Sequence, residues 1–281
     1  MTVMTWRRLV LLLVLTALRP APAAADVERR FERSFTVSAA SMVFVDVAGA
    51  SITTEPGARG EVRFTVVQQV GTDSDAEADQ ALARFTVDAA ERGREVHLRI
   101  GTTPESWRRG HPRVRMTVHV RVPDNVPLDL ETSGGSIVVR GDRSAPLEAE
   151  TSGGSVTVEG GSGTVAVSTA GGSIKVNRAL TELLADTSGG GISVGYVGPT
   201  ATRVNLDTSG GSIRVGVDPR ARLDITASTS GGRVTVEGLA LGRNSSNRRQ
   251  NRISGSLNGG GGILRAATSG GSIIVAAVVA P

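Results

Sequence analysis

The sequence predicts an all-β chain folded as a parallel β-solenoid, a β-helix-like stack with turns of roughly 18 to 21 residues and a more irregular N-terminal capping region. Three observations lead there. One hexapeptide, Thr132-Ser133-Gly134-Gly135-Ser136-Ile137, recurs in near copy seven times; apolar residues alternate strictly on either side of it; and no helical periodicity runs through the copies. The copies begin at Thr132, Thr151, Thr169, Thr187, Thr208, Thr229 and Thr268, at steps of 19, 18, 18, 21, 21 and 39 residues. The last step is as long as two repeats, and the glycine run Leu257 to Ile263 reads as the missing copy.

The elements follow in chain order. Arg7 and Arg8, the apolar stretch Leu9 to Leu18 and Ala23-Ala24-Ala25 read as a secretory signal peptide over residues 1–25, cleaved near Asp26. Ten apolar residues are too few to span a bilayer, which takes about 20, so no transmembrane segment is expected after cleavage. Residues 26–127 lack the hexapeptide, but Val43, Val45, Val47 and Ile52 flank Ala48-Gly49-Ala50-Ser51 at the repeat spacing and read as a degenerate first turn. Strands around Val62 to Val70, Val96 to Ile100 and Val114 to Val122, with a short helix from Asp75 to Arg84, then form the cap.

Residues 128–281 are the repeat array, interrupted by an arginine-rich insertion at 242–253. Two and four residues before each signature threonine stand apolar side chains, such as Leu130 and Leu128 or Leu206 and Val204. Five and seven after it stand Ile137 and Val139, or Ile213 and Val215. Each unit is therefore two strands with one face buried, and parity turns the threonine inward. The glycine pair marks a tight corner and is expected to supply positive φ. A chain of hairpins also satisfies this pattern, but only a stack gives a reason to copy the corner residues, by piling them at about 4.8 Å. One unit cannot bury its apolar face alone, so stability is expected to accrue between neighbours. The terminal run 273–280, almost uncharged, either folds back as a cap or offers an edge strand for self-association.

Composition narrows the partners. Without Arg7, Arg8 and Arg19, the 31 basic side chains fall to 28 against 27 acidic ones, and aromatics make up 3% of the chain. Neither the charge nor the aromatic content favours a nucleic-acid partner. The chain has no cysteine, hence no disulfide, thiolate site or lipidated cysteine. No HExxH, P-loop or GxSxG motif occurs, and His97, His111 and His119 read as strand or surface residues, so no catalytic residue, metal or cofactor is assigned.

Two loops carry candidate contacts. Arg243, Arg248, Arg249 and Arg252 lie in a stretch without an acid and suit an anionic lipid or polysaccharide. Trp107, Arg108 and Arg109 form a small platform for a glycan. The residues before the signature threonines, Glu131, Glu150, Ser168, Asp186, Asp207, Ser228 and Ala267, would align as a partly acidic ladder; no second aspartate follows the glycines, so solvation explains it without calcium.

The segment Val120-Arg121-Val122-Pro123-Asp124-Asn125-Val126-Pro127-Leu128-Asp129-Leu130, the hexapeptide copies and Leu257-Asn258-Gly259-Gly260 together resemble the bacterial putative adhesin domain family of unknown function, over residues 35 to 280. The resemblance implies an exported or membrane-attached β-solenoid and carries no catalytic residues. The expectation is thus a non-enzymatic adhesin-like, scaffold or interaction protein in the periplasm, at the cell surface or secreted, meeting a protein or an envelope glycan or lipid. A carbohydrate-binding or carbohydrate-active protein, or an envelope stress or regulatory protein, are the alternatives.

Overall fold

The computed structural model describes residues 26–103, 112–246 and 250–279, so the expected signal segment lies outside the described residues. The protein is all-β apart from one eight-residue helix among those residues. Its N-terminal part holds β1 (Val27–Thr36), β2 (Met42–Val47), β3 (Ser51–Pro56), β4 (Glu61–Val70), α1 (Asp75–Leu82), β5 (Phe85–Arg92), β6 (Glu95–Thr102) and β7 (Val114–Val122). The repeats supply β8 (Leu128–Thr132), β9 (Ile137–Arg143), β10 (Leu147–Thr151), β11 (Val156–Gly161), β12 (Thr164–Thr169), β13 (Ile174–Ala179), β14 (Glu182–Thr187), β15 (Ile192–Val197), β16 (Arg203–Thr208) and β17 (Ile213–Val217). The chain ends with β18 (Leu223–Thr229), β19 (Val234–Glu237), β20 (Leu241–Ser246), β21 (Arg252–Leu257), β22 (Gly262–Thr268) and β23 (Ile273–Ala277).

These strands make two large, mostly parallel sheets. The first runs β1-β4-β7-β3-β9-β11-β13-β15-β17-β23-β19 and the second β20-β21-β18-β22-β16-β14-β12-β10-β8-β2-β6-β5. Each repeat gives one strand to each sheet. A strand of the second sheet ends on the signature threonine, the glycines turn the corner, and the next strand joins the first sheet. Equivalent residues pair in parallel: Thr151 aligns with Thr132 on one side and Thr169 on the other, and Val156 with Ile137 and Ile174. The alternating inward aliphatics of both sheets form one continuous core from Val37 to Val275. α1 starts on Ser74, whose side chain accepts from the Glu77 amide, and seats Ala78 and Ala81 against Val70.

The corners explain the copied residues. Each signature threonine is buried, donates its hydroxyl to a carbonyl of the neighbouring unit and accepts from the glycine amide three residues on. Thr151 Oγ1 donates to Gly135 O at 2.7 Å and accepts from Gly154 N at 3.2 Å, and Thr169, Thr187 and Thr208 repeat this on Gly154, Gly172 and Gly190. A second ladder runs through the serines, with the amides of Ser155 and Ser173 donating to the hydroxyls of Ser136 and Ser155. Replacing Thr151 with Val should strand one buried acceptor and one donor, destabilising the protein by about 2 kcal/mol, while Thr151→Ser should cost well under half of that. Chemical denaturation of the two variants measures the difference.

The expected positive φ at these corners is not what is observed. None of the corner glycines from Gly134 to Gly271 has one; among the described residues positive φ falls instead on Gly49, Gly60, Gly93, Gly141, Gly238, Gln250 and the turn Asn258 to Gly261. The second glycine of each pair is required by close approach. A Cβ on Gly154 would fall inside the shell of the Gly135 carbonyl, and one on Gly172 inside that of Gly154.

The C-terminal expectations also need correction. The run Leu257 to Ile263 is not a missing repeat. Leu257 ends β21, which pairs antiparallel with β18 and with β20, and Asn258 to Gly261 then turn the chain into β22. The 39-residue step therefore holds a hairpin. The last unit, β22 with β23, inserts between the two preceding ones: Thr268 donates to Gly211 O, and Thr229, earlier in sequence, donates to Gly271 O. Residues 273–277 are hydrogen-bonded by β17 on one side and β19 on the other, so they neither cap the stack nor offer an edge for self-association. Ala280 lies outside the described residues.

The N-terminal end is likewise out of chain order, with β6 and β7 stacked in parallel outside β2 and β3. Antiparallel β4 and β1 extend the first sheet beyond β7, and β5 extends the second beyond β6. The edge strand β1 carries Glu28, Arg29, Arg30, Glu32 and Arg33, charges that discourage pairing with another chain.

Candidate functional site

Because the inward side chains fill the space between the sheets, the chemistry available lies on the outward faces. On the second sheet, parallel register lines up Asp46, Glu131, Glu150, Ser168, Asp186 and Asp207, and beside them Asp129 with Glu148. Asp46 pairs weakly with Arg99, at 4.0 Å. Among the described residues no cation stands within 4 Å of Asp129, Glu131, Glu148 or Glu150. Partial burial, together with the neighbouring carboxylates, raises the pKa values of Asp129 and Glu131, and burial with Asp186 raises that of Asp207. A shallow depression of about 260 Å³ opens over Ala166 and Leu184 between Glu148, Asp186 and Asp207. Among the described residues no three His, Cys, Asp or Glu side chains are placed to hold one metal ion.

This row is a stability liability with a definite sign. Groups whose folded pKa is raised favour the native state below their unfolded pKa, and that contribution is lost as pH rises through the folded value. Glu131→Gln with Glu150→Gln, side by side across β8 and β10, should therefore stabilise the protein at pH 7 by about 0.5 to 1 kcal/mol. The gain should fade as the pH drops to the ordinary carboxylate range near 4. Thermal unfolding at the two pH values checks it.

The first sheet carries a different arrangement at its N-terminal end. Arg63 on β4 lies directly opposite Arg121 on β7, Arg121 aligns with Glu55 on β3, and the β3–β9 register sets Arg140 beyond Glu55. All four side chains point outward. Arg140 Nη1 donates to Glu55 Oε1 at 3.3 Å, and Arg121 Nε lies 3.5 Å from Glu55 Oε2. Arg63 turns away to Glu61, at 2.9 Å, and to Ser34, at 3.2 Å; hydrogen bonding to the Glu61 carboxylate by Arg63 first, and by Ser34 next, holds that carboxyl below its usual range. Two depressions of about 420 and 390 Å³ share Glu55, Arg63 and Arg121, one floored by Pro56, Gly57 and Ala58, the other reaching Thr65, Val67 and His119.

The residues singled out from the sequence are not brought into this cleft. Arg252 is exposed on β21, at the far end of the second sheet, and Arg243 belongs to β20. Trp107, Arg108, Arg109, Arg248 and Arg249 lie outside the described residues. His97 stacks on Phe44 at 4.7 Å and contacts Glu95, and His119 faces outward and lines the second of the two depressions. The arginines of the cleft were visible only as outward positions of separate strands; their convergence depends on the order in which β1, β4, β7, β3 and β9 pair, which no local pattern encodes.

No protein-family model matches the chain, and no curated protein matches it. Among solved structures it is similar to a putative cell adhesion protein from Clostridium sporogenes, at 11% identity and a TM-score of 0.34, over 89% of this chain and 100% of that one. It is also similar to a putative adhesin from Bacteroides fragilis, at 12% identity and a TM-score of 0.34, over 89% and 97% of the two chains. A putative lipid binding protein from Parabacteroides distasonis gives 13% identity and a TM-score of 0.31 over 89% and 97%. Likeness of this degree leaves function to be argued from the molecule. Among the described residues no helix is long and apolar enough to cross a membrane.

Proposed function

We propose that the chain is an exported, non-enzymatic, adhesin-like interaction protein of the cell envelope, built as a β-solenoid that binds through its outward faces. In this reading residues 1–25 are a signal peptide, 26–127 the first turn and cap, and 128–281 the repeat array. The observation that carries it is the filled interior: the inward rows from both sheets pack into one aliphatic core, while charged side chains repeat at strand spacing on the outside. A rigid stack of this kind suits presentation of an extended surface. The cleft around Arg63, Arg121 and Glu55 favours a second, narrower reading, carbohydrate binding, because it gathers cations and carboxylates in depressions of ligand size.

Immobilised residues 26–281 should retain an envelope glycan or lipid from an array and release it chemically unchanged. Recovery of an altered ligand would overturn the non-enzymatic reading. Lack of retention across both classes would overturn the envelope-ligand one.

A further inference from the structure

We infer that the cleft on the first sheet is a binding site for a carboxylate-bearing saccharide, with Arg63 and Arg121 holding the carboxylate and Glu55 and Glu61 accepting ring hydroxyls. This rests on the reading of the chain as a binding protein and names the ligand class of one face.

Like charges set directly opposite each other on neighbouring strands are destabilising, and Arg63 and Arg121 are so placed. Glu61 stands two residues from Arg63 along the same strand and Glu55 beyond Arg121 on the next, so in the register no acid lies between the two arginines across the β4–β7 pair. An incoming carboxylate fits that gap, because guanidinium forks match carboxylate geometry with two charge-assisted bonds each. Arg30 is paired with Glu28 and Arg63 with Glu61, whereas Arg121 and Arg140 share the single carboxylate Glu55, so the local excess of positive charge lies at that group of three.

The remaining lining fits a sugar. Glu55 is 32% exposed, and each of its two oxygens meets one guanidinium, Arg121 from β7 and Arg140 from β9, which leaves each oxygen acceptor capacity for a hydroxyl group. Pro56, Gly57, Ala58 and Val67 offer low apolar ground for the ring, and among the described residues no Phe, Tyr or Trp lines either depression. Recognition must then come from charge and hydrogen bonding rather than stacking, which selects an acidic sugar over a neutral one. Two adjoining depressions that share Glu55, Arg63 and Arg121 give room for consecutive units of an oligomer. The scaffold is stiff, since the five strands that supply the lining, β1, β4, β7, β3 and β9, are adjacent in one sheet, and Phe64, Val120, Ile52 and Val139 on the inward side of the last four are fully buried.

The test is calorimetric titration of residues 26–281 with short oligogalacturonate, with its neutral oligogalactose counterpart and with inorganic phosphate, at moderate salt. Oligogalacturonate should bind at least about tenfold tighter than the neutral oligomer, and Arg63→Gln and Arg121→Gln should each weaken it by about tenfold or more. Lys175→Gln with Arg214→Gln, on the same face but away from the cleft, should leave the affinity within about twofold; both cleft arginines are about half exposed or more, so their variants should unfold at the wild-type midpoint. Equal losses from the remote pair would reduce the effect to unspecific charge and overturn the site. Equal affinity for the neutral oligomer would overturn the carboxylate requirement, and full competition by phosphate would reassign the cleft to phosphate. No binding of oligogalacturonate by a protein that still retains another array ligand would overturn the ligand class and leave the binding role standing.

Discussion

Gly154→Ala is expected to destabilise the protein by at least about 3 kcal/mol, whereas Gly153→Ala, one residue earlier in the same corner, should cost no more than about 1 kcal/mol. The two glycines look equivalent in sequence and neither has positive φ, so a backbone-freedom argument predicts similar effects. Packing separates them. A Cβ on Gly153 would stand 3.5 Å from the Gly134 carbonyl, an ordinary contact, while a Cβ on Gly154 would overlap the carbonyl of Gly135 and the peptide that follows it. That backbone cannot yield without parting two units that are also tied by Thr151 to Gly135. The same asymmetry should hold at Gly171 and Gly172. Denaturant unfolding of all four variants measures it, and equal losses within a pair would show that the corners are not stacked this closely.

Asp218→Ala should cost about 3 kcal/mol, the second large effect expected, because of where its turn sits. Residues 218–222 carry the chain from β17 to β18, and β22 with β23 lies between those units, so this turn, like the one from β7 to β8, crosses two strand spacings where the turns from β9 to β10 up to β15 to β16 cross one. Asp218 is 1% exposed. It accepts from the Tyr196 hydroxyl at 2.6 Å, from the Arg220 amide at 2.8 Å and from the Arg220 guanidinium at 2.8 and 3.0 Å. Its removal orphans a buried tyrosine hydroxyl. Arg220 itself is largely exposed, so the ionic part of the contact is screened and counts for less than the hydrogen bonds. The Arg220 guanidinium is the first cause, and the tyrosine hydroxyl a further one, that holds the Asp218 carboxyl far below its ordinary range. A depressed carboxylate contributes stability above its unfolded pKa and loses it as pH falls toward the folded value. The advantage of wild type over Asp218→Ala should therefore be full above about pH 5 and shrink below about pH 4.

What could be read in advance follows from which contacts repeat. The inward rows, the buried threonines and the corner of each unit obey local alternation, and each unit meets its neighbours through the same residues, so one pattern describes them all. The acidic row was legible for that reason, since register alone aligns Glu131 with Glu150. The reason for the glycines was not, because close approach between units leaves no trace in a single unit. Nor was the stacking order. Thr268, Gly270 and Gly271 offer the same contacts as any other corner, so nothing local distinguishes a unit added at the end from one inserted between β16–β17 and β18–β19. The cleft was hidden more deeply still: Arg63 and Arg121 are far apart in the chain, and they meet only because β4 runs antiparallel against β7.

That stacking order can be read directly with paired cysteines, since the chain contains none of its own. Ser209, Ser269 and Ser230 occupy the same exposed place in three corners, with the Gly270 amide bonded to Ser209 O and the Gly231 amide to Ser269 O. Neighbouring corners should lie about 4.8 Å apart, within disulfide reach, and corners two steps apart about 10 Å, beyond it. Mild oxidation should therefore cross-link Ser209→Cys with Ser269→Cys, and Ser269→Cys with Ser230→Cys, but leave Ser209→Cys with Ser230→Cys reduced. Efficient linkage of positions 209 and 230, with none between 209 and 269, would contradict the inserted unit and the column of corners built on it.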